Sequence, residues 1–317
     1  MTERKYTMND LYINKCKAFI DFMLSQQQWS GITKANIDSW LSNFKGLTHE
    51  EQELVYKLLT NIIYFSENDV TEALRIGVYN CLSYSDILQQ QKDSNFSTST
   101  HTLKNTHKSN INKACFVPLL DSGAPHESAN NVCRILVQQG IIPAEKSMFL
   151  DQVPSLLKSG QVNNLIIVDD CVGSGDQLRT FWEETRVKDD DNSITIKDLC
   201  KKYGAKANYL TLFGYNKSIE DLRDEFPDLN IFCVRQLSDQ HRVFSDSSYI
   251  WKSDEEKATA FDLIDSLAKN AGIPTYGYNN LDFAFVMHKT IPDWSLPIFW
   301  KENCDWKLLL RRKNSND

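Results

Sequence analysis

The sequence predicts an α/β protein in which a mostly parallel β-sheet is flanked by helices and preceded by an all-helical N-terminal region. Residues 165–168 form a short run of four apolar residues, which is typical of a strand buried on both faces of a parallel sheet. From residue 113 onward predicted strands alternate with predicted helices, whereas residues 8–90 show only helical periodicity. We therefore predict a helical region (1–90), a polar linker (91–112) and an α/β domain (113–317).

Two local signals mark helices in the N-terminal region. Thr48 and Glu51 have the spacing of a capping box, and Ser66 is a candidate cap for the following helix. Trp40 and Phe44 are assigned to an earlier helix. Apolar residues recur at helical spacing after the two caps, and we assign them to the core: Leu54, Val55, Leu58, Leu59, Ile62, Ile63, Val70, Ala73, Leu74, Val78 and Leu82.

The second half of the chain contains the predicted sheet. Residues 91–112 are rich in Ser, Thr, Asn, His and Lys, and this composition predicts a solvated linker or exposed loop. After it, strands are predicted at 114–120, 147–150, 165–168, 207–213 and 231–234, with a last apolar run at 281–287. Helices are predicted at 128–139, 176–186, 217–226 and 254–271, and the chain ends in a basic tail that includes Lys307, Arg311, Arg312 and Lys313.

Composition excludes several classes of protein. The chain has 317 residues, 41% of them hydrophobic, and a formal charge of −7, which argues against a general nucleic-acid coat. Eight cysteines without C-x-x-C spacing favour reduced thiols in the cytoplasm. We find no signal-peptide segment and no run of 18 apolar residues, and therefore expect no membrane partner. The six histidines have no metal-binding spacing, so no dedicated metal site is predicted.

The chemistry of the central stretch points to a phosphate ligand. Asp169 and Asp170 follow the predicted strand, and open α/β proteins bind ligands outside the carboxyl ends of their strands. A tight turn at Gly173, Ser174 and Gly175 then precedes a helix, and such a turn at a helix N-terminus favours a phosphate. Because carboxylates hold sugar hydroxyls, the pattern suggests a ribose 5-phosphate derivative. The simpler alternative is a helix cap in a solvated turn.

Two other families with a similar stretch fit less well. A receiver domain needs a phospho-accepting Asp two strands later, and residues 209–215 offer none. Amino DNA methyltransferases share the spacing from Asp169 to Gly175, but they need an Asn/Asp-Pro-Pro-aromatic element. No Pro-Pro occurs in this chain.

The stretch 165–175 most resembles the ribose-phosphate motif of type I phosphoribosyltransferases. The resemblance implies that Asp169 and Asp170 are catalytic residues that hold the ribose hydroxyls. It also implies that the loop binds the 5′-phosphate through Gly173, Ser174, Gly175, Asp176 and Gln177. Asp121, Ser122 and Gly123 match the turn that faces pyrophosphate in that family. The chain departs from the family pattern at two positions. The enzymes often have Thr where this chain has Gly173, and they usually have Thr or Ser where it has Gln177. Mg²⁺ is expected only with the substrate.

The whole chain is closer to a divergent branch, the phosphoribosyltransferase-like proteins of prokaryotic conflict systems, including those encoded beside retron reverse transcriptases. The marks are Trp40 with Phe44, the loop 169–177, and a late segment from Pro292 to Trp300. This resemblance implies a cytoplasmic, nucleotide-binding effector, or toxin, of antiviral defence, which acts at ribose C1′. The alternative is a catalytically inactive sensor or scaffold that binds a retron reverse transcriptase and its DNA–RNA product.

Overall fold

The structure, a computed structural model, describes residues 8–120, 128–288, 290–303 and 305–311. The candidate pyrophosphate-loop residues Asp121, Ser122 and Gly123 lie outside the described residues. The helices are α1 (Met8–Ser25), α2 (Lys34–Leu41), α3 (His49–Thr60), α4 (Glu67–Leu82), α5 (Tyr84–Asp93), α6 (Thr100–Asn112), α7 (Ser128–Gln138), α8 (Val153–Lys158), α9 (Asp176–Glu184), α10 (Ile196–Tyr203), α11 (Asn216–Glu225) and α12 (Asp254–Asn270). The strands are β1 (Ile63–Phe65), β2 (Ala114–Pro118), β3 (Asn164–Val172), β4 (Arg186–Asp189), β5 (Asn192–Thr195), β6 (Lys206–Tyr215), β7 (Asn230–Leu237) and β8 (Phe285–Met287).

The chain forms two compact units, one of Met1–Asp69 with Leu237–Asp317 and one of Val70–Gln236. These units differ from the predicted division into 1–90, 91–112 and 113–317. One reason is that α4 packs on the sheet from residue 70 onward: a Cβ built at Gly77 would lie 2.7 Å from Leu210 Cδ1 and 3.1 Å from Val234 Cγ2. The helices from α4 to α6 therefore belong with the α/β core.

The first unit brings the N-terminal helices together with the C-terminal segments. The Trp40 ring stacks on Phe299 at a centroid distance of 5.4 Å and meets Phe44 edge-on at 4.6 Å. The indole Nε1 of Trp40 donates to the Ile298 carbonyl at 2.8 Å. Strands β1 and β8 pair in parallel in the same unit. The Trp40–Phe44 element and the late Pro292–Trp300 segment thus have a packing role, since an aromatic cluster of this kind buries a large apolar area.

The predicted helix caps are present in this unit. The Glu51 backbone N–H donates to Thr48 Oγ1 at 3.3 Å, and the Thr48 N–H donates to Glu51 Oε2 at 2.7 Å, which completes the capping box of α3. Ser66 Oγ accepts from the Asp69 N–H at 3.2 Å at the start of α4. Both caps satisfy N–H groups that the first turn of a helix leaves without an intrahelical partner.

The second unit contains the predicted parallel sheet, with strand order β2-β3-β6-β7. Strand β2 pairs with β3 in parallel, and β3 pairs with β6 in parallel. The residues of 165–168 are all 0% exposed, as expected for a strand covered on both faces. The fold class predicted from the sequence, an α/β sheet flanked by helices, is confirmed.

Strand order reverses at β2. A parallel bridge joins Phe116 to Ser147, and the Met148 N–H donates to the Phe116 carbonyl at 2.8 Å, on the edge of β2 away from β3. After β2 the chain therefore forms the bridge at Ser147 on one edge of β2, and it then forms β3 on the other edge. Ligands of open α/β sheets bind at the carboxyl ends of the strands where such a reversal occurs.

Two predicted segments differ from the structure. The predicted strand at 147–150 is only that single bridge, because the 3₁₀ turns Ala144–Lys146 and Leu150–Gln152 enclose it. The predicted linker at 91–112 contains α6, which buries only Ile111 and is held by polar contacts. The Asn110 side chain donates to the Leu82 carbonyl at 3.0 Å, and the His107 ring lies 2.7 Å from Ser83 Oγ.

None of the helices in the described ranges combines the length and apolar character needed to cross a membrane.

Candidate functional site

The predicted site residues lie at the carboxyl end of β3. This strand runs to Val172, so Asp169 and Asp170 lie within its last four residues rather than after its end. Asp169 is opposite Thr211 of β6 in the parallel register. Both aspartates therefore lie on a strand of the central sheet, close to the reversal of strand order at β2.

Asp169 is an interior side chain. It is 4% exposed, and its Oδ2 accepts a hydrogen bond of 2.8 Å from the Tyr209 hydroxyl of β6, which is 0% exposed. Its Oδ1 accepts from the Asp170 N–H at 2.9 Å. Burial, with the nearby Asp170 charge as the second cause, raises the pKa of Asp169 well above its ordinary value. Burial and the Asp169 charge likewise raise the pKa of the Tyr209 hydroxyl.

Asp170 has a different environment. The Asp170 carboxyl lies close enough to Asp169 for its charge and a side-chain hydrogen bond to raise the pKa of Asp169. Asp170 is half-buried, and its Oδ1 accepts from the Cys171 N–H at 2.8 Å. The two aspartates are therefore not equivalent, and Asp170 has the more accessible carboxylate.

The loop after β3 requires glycine at its last position. Gly175 caps α9 with φ +88°, a left-handed conformation that costs little only for glycine. A Cβ at this position would also lie 2.8 Å from Leu222 Cδ1 of α11. The turn thus combines an unusual backbone conformation with close packing on a neighbouring helix, and it directs the N-terminus of α9 toward the carboxyl end of the sheet.

The loop is closed by a network of polar side chains. Ser174 Oγ donates to Asp176 Oδ2 at 2.9 Å and accepts from the Asp176 N–H at 3.3 Å. Arg179 donates to the Ser174 carbonyl at 3.0 Å and to Asp176 Oδ1 at 3.1 Å. The same guanidinium donates through Nε to Glu225 Oε2 at 2.8 Å. These contacts connect the loop to the first turns of α9 and the end of α11.

The predicted phosphate-binding residues differ in whether their side chains already form hydrogen bonds within the loop. The Ser174 hydroxyl and the Asp176 carboxylate bond to each other, while Gln177 is exposed. The N–H groups of the first helical turn and the N-terminal end of the helix dipole attract anions. Arg179 places a cation against the loop and offsets the Asp176 charge. The backbone N–H groups are therefore the loop's best hydrogen-bond donors for a bound anion.

Sequence reasoning missed three residues of this site, namely Tyr209, Arg179 and Glu225. A buried Tyr hydroxyl usually needs a partner, so a tyrosine within the apolar run 207–213 was a usable signal. Arg179 stands three residues after Asp176, the spacing of a helical ion pair. Glu225 had no local signal because its contact with Arg179 joins α11 to α9. In the described part of the chain, no group of three or more His, Cys, Asp or Glu side chains is arranged to hold a metal ion.

Comparison with known proteins identifies the family. The PRTase-CE family model matches residues 37–312, which include the whole β3–α9 site. The chain belongs to the PRTase-CE family. PRTase-CE membership confirms the predicted resemblance to phosphoribosyltransferase-like effector proteins and agrees with the α/β sheet. Among curated proteins and solved structures, none matches the chain significantly.

Proposed function

We propose that this PRTase-CE protein binds a ribose-phosphate ligand, such as phosphoribosyl pyrophosphate or a nucleotide, at the carboxyl end of β3. The observation that carries the proposal is the half-buried Asp170 carboxylate, which precedes a glycine turn and a helix N-terminus at the reversal of strand order. A carboxylate accepts hydrogen bonds from sugar hydroxyls, and backbone N–H groups at a helix N-terminus bind phosphate.

In this proposal each site residue has a separate role. Asp170 accepts hydrogen bonds from the ribose hydroxyls, and Asp169 supports it from the interior through its own bond to the Asp170 N–H. Residues 173–177 surround the 5′-phosphate with backbone donors, while Arg179 supplies positive charge. Mg²⁺ enters with the pyrophosphate group of the substrate, because Mg²⁺ is commonly held by substrate phosphates and water.

If the protein is an enzyme, the reaction breaks a bond at ribose C1′. This cleavage develops positive charge on the ring, and a carboxylate in a water-poor site stabilises such a transition state. Asp170 is the group placed to act on the ring, since it keeps an accessible carboxylate. The resemblance of the sequence to conflict-system proteins motivates a further part of the proposal: an effector role, toxic to the host cell, in cytoplasmic anti-phage defence, with a retron reverse transcriptase and its DNA–RNA product as candidate partners.

A second candidate function is ligand binding without turnover. It is favoured by Asp169, whose two carboxylate oxygens already accept hydrogen bonds from Tyr209 and from the Asp170 backbone. A buried carboxyl with a raised pKa offers less negative charge to a ribose cation than a solvated aspartate does. Such a protein would serve as a nucleotide sensor or as a scaffold for the reverse transcriptase.

Calorimetry with phosphoribosyl pyrophosphate and Mg²⁺ tests the binding site. We expect Asp170→Asn to weaken binding about tenfold or more, because hydrogen bonds to a charged acceptor are lost. Asp191→Asn, an exposed aspartate in the turn between β4 and β5, is the matched control and should bind as the wild type does. Equal affinity of Asp170→Asn and wild type would contradict the site. Pyrophosphate release by the wild type supports the enzyme, and binding without release supports the sensor.

Nucleotide profiling of cells that express the protein tests the effector role. Cells with the wild type are expected to show depleted or altered nucleotide pools and slow growth under the conditions that activate the system. Asp170→Asn should restore both, whereas Asp191→Asn should not. Identical pools and growth for wild type and Asp170→Asn would argue against an effector that acts on nucleotides.

A further inference from the structure

A cavity of about 390 Å³ opens at the opposite, amino-terminal end of the same sheet. Its wall includes the first residues of three strands, Asn164 of β3, Lys206 of β6 and Asn230 of β7, together with residues from α4 to α6. The volume lies within the range of small-molecule pockets. Asn164 and Asp170 are six residues apart along β3, or about 20 Å at the rise of a strand, so the cavity is separate from the proposed ribose-phosphate site.

The wall of this cavity is rich in amide side chains. Asn208 is 3% exposed, and its Nδ2 donates to Asn164 Oδ1 at 2.5 Å. Asn110 donates to the Leu82 carbonyl at 3.0 Å and to Asp86 Oδ2 at 2.9 Å. These bonds hold the amide groups in fixed orientations before any ligand arrives. The asparagines in the wall are Asn110, Asn163, Asn164, Asn208 and Asn230.

Two lysines add positive charge at the same place. Lys113 and Lys206 line the cavity and are exposed, and neither forms an ion pair with a carboxylate of the described residues. The Asn163 N–H donates to the Lys113 carbonyl at 3.0 Å, and the Lys206 N–H donates to the Asn163 carbonyl at 2.9 Å. The backbone thus holds the two lysines on either side of Asn163, in a chain whose formal charge is −7.

We propose that this cavity binds a purine nucleoside monophosphate. An asparagine amide offers a donor and an acceptor side by side, the pattern that pairs with the N6 and N7 edge of adenine. The half-buried Phe232 ring in the wall provides an aromatic surface for the base. Lys113 and Lys206 contact the phosphate, and Asp86 is placed to accept from ribose hydroxyls. This site does not depend on the activity proposed for the β3–α9 loop.

Titration calorimetry of the full chain with AMP, GMP and inorganic phosphate tests the assignment. The test variant is Lys113→Gln with Lys206→Gln, which changes exposed side chains only. The control is Lys188→Gln with Lys201→Gln, two exposed lysines of the same unit that do not line the cavity. We expect the wild type and the control to bind AMP equally, and Asp170→Asn to keep the AMP site in this cavity even if it loses binding at the β3–α9 loop. The Lys113/Lys206 variant should bind AMP in the cavity at least about tenfold more weakly.

Three outcomes would overturn the proposal. One is no binding of AMP or GMP to the wild type, and another is unchanged affinity in the Lys113/Lys206 variant. The third is phosphate binding as tight as AMP binding, which would show an anion site without base recognition. Loss of AMP binding in Asp170→Asn but not in the Lys113/Lys206 variant would place the nucleotide at the β3–α9 loop instead, so failures of the two sites are distinguishable.

Discussion

Gly175→Ala is expected to lower the free energy of unfolding by roughly 2–5 kcal/mol. A left-handed conformation costs a residue with a side chain about 1–2 kcal/mol, and Gly175 has φ +88°. The new Cβ would also lie 2.8 Å from Cδ1 and 3.1 Å from Cγ of Leu222, and overpacking of this kind costs about 1–3 kcal/mol. Leu222 is 0% exposed, so its side chain has little space in which to move. Urea unfolding followed by circular dichroism measures the loss.

Gly204→Ala separates the two contributions. Gly204 follows α10 with φ +62°, and a Cβ there would meet nothing within 4 Å. This control should therefore lose only the conformational part, about 1–2 kcal/mol. Equal losses for the two variants would show that the Leu222 contact does not constrain the loop. The larger loss at Gly175 would be accompanied by weaker binding of phosphoribosyl pyrophosphate, because the turn sets the position of the N-terminus of α9.

Tyr209→Phe is the second change with a large expected effect. It removes the donor to Asp169 Oδ2 and leaves a buried carboxyl oxygen without that hydrogen bond, a loss of about 1–3 kcal/mol. The hydrogen bond from Tyr209 lowers the pKa of Asp169, in opposition to the effect of burial. The loss in Tyr209→Phe should consequently increase with pH, since the ionised form of Asp169 depends on the hydroxyl more than the protonated form does.

The pH dependence of the wild type follows from the same carboxyl. In the unfolded chain Asp169 titrates near its ordinary pKa of 3.8, while in the folded protein its pKa is raised. Below 3.8 the group is protonated in both states. As pH rises above 3.8, the unfolded state loses its proton first, so stability falls until pH passes the folded pKa. Denaturant unfolding at a series of pH values should show this decline for the wild type relative to Asp169→Asn.

A double-mutant cycle provides the control. With Asp169→Asn as background, Tyr209→Phe should have a smaller effect that does not vary with pH, because no titrating carboxyl remains at this position. A constant stability difference between wild type and Asp169→Asn from pH 4 upward would contradict a raised pKa. A Tyr209→Phe effect of the same size in both backgrounds would show that the hydroxyl acts independently of Asp169.

Local patterns in the chain were sufficient to predict much of the fold. The apolar run 165–168 indicated a strand covered on both faces, and its four residues are fully buried in β3. The spacing of Thr48 and Glu51 predicted the start of α3, whose capping box is present. These signals are reliable because a cap or a strand pattern acts over a few residues, where chain connectivity fixes which groups meet.

Contacts between distant segments were not predictable in the same way. Helix α6 is held by polar bonds to Leu82 and Ser83 rather than by an apolar stripe. Its composition therefore resembles that of a linker. The pairing of the N-terminal helices with residues 237–317 depends on rings such as Trp40 and Phe299, which lie far apart in the sequence. Apolar periodicity reveals which face of an element is buried, but it does not identify the partner of that face.

The central stretch shows the same division between local and long-range information. Asp169, Asp170 and the glycine turn are adjacent in the chain, so residue types and spacing alone predicted a strand, an acidic pair and a helix N-terminus. The difference between the two aspartates depends on β6, because the Tyr209 hydroxyl of that strand donates to Asp169 Oδ2 at 2.8 Å, while Asp170 is half-buried and accepts from the Cys171 N–H. Burial and charge at a site are sums over all neighbours in space, and most neighbours of a buried strand come from elsewhere in the chain.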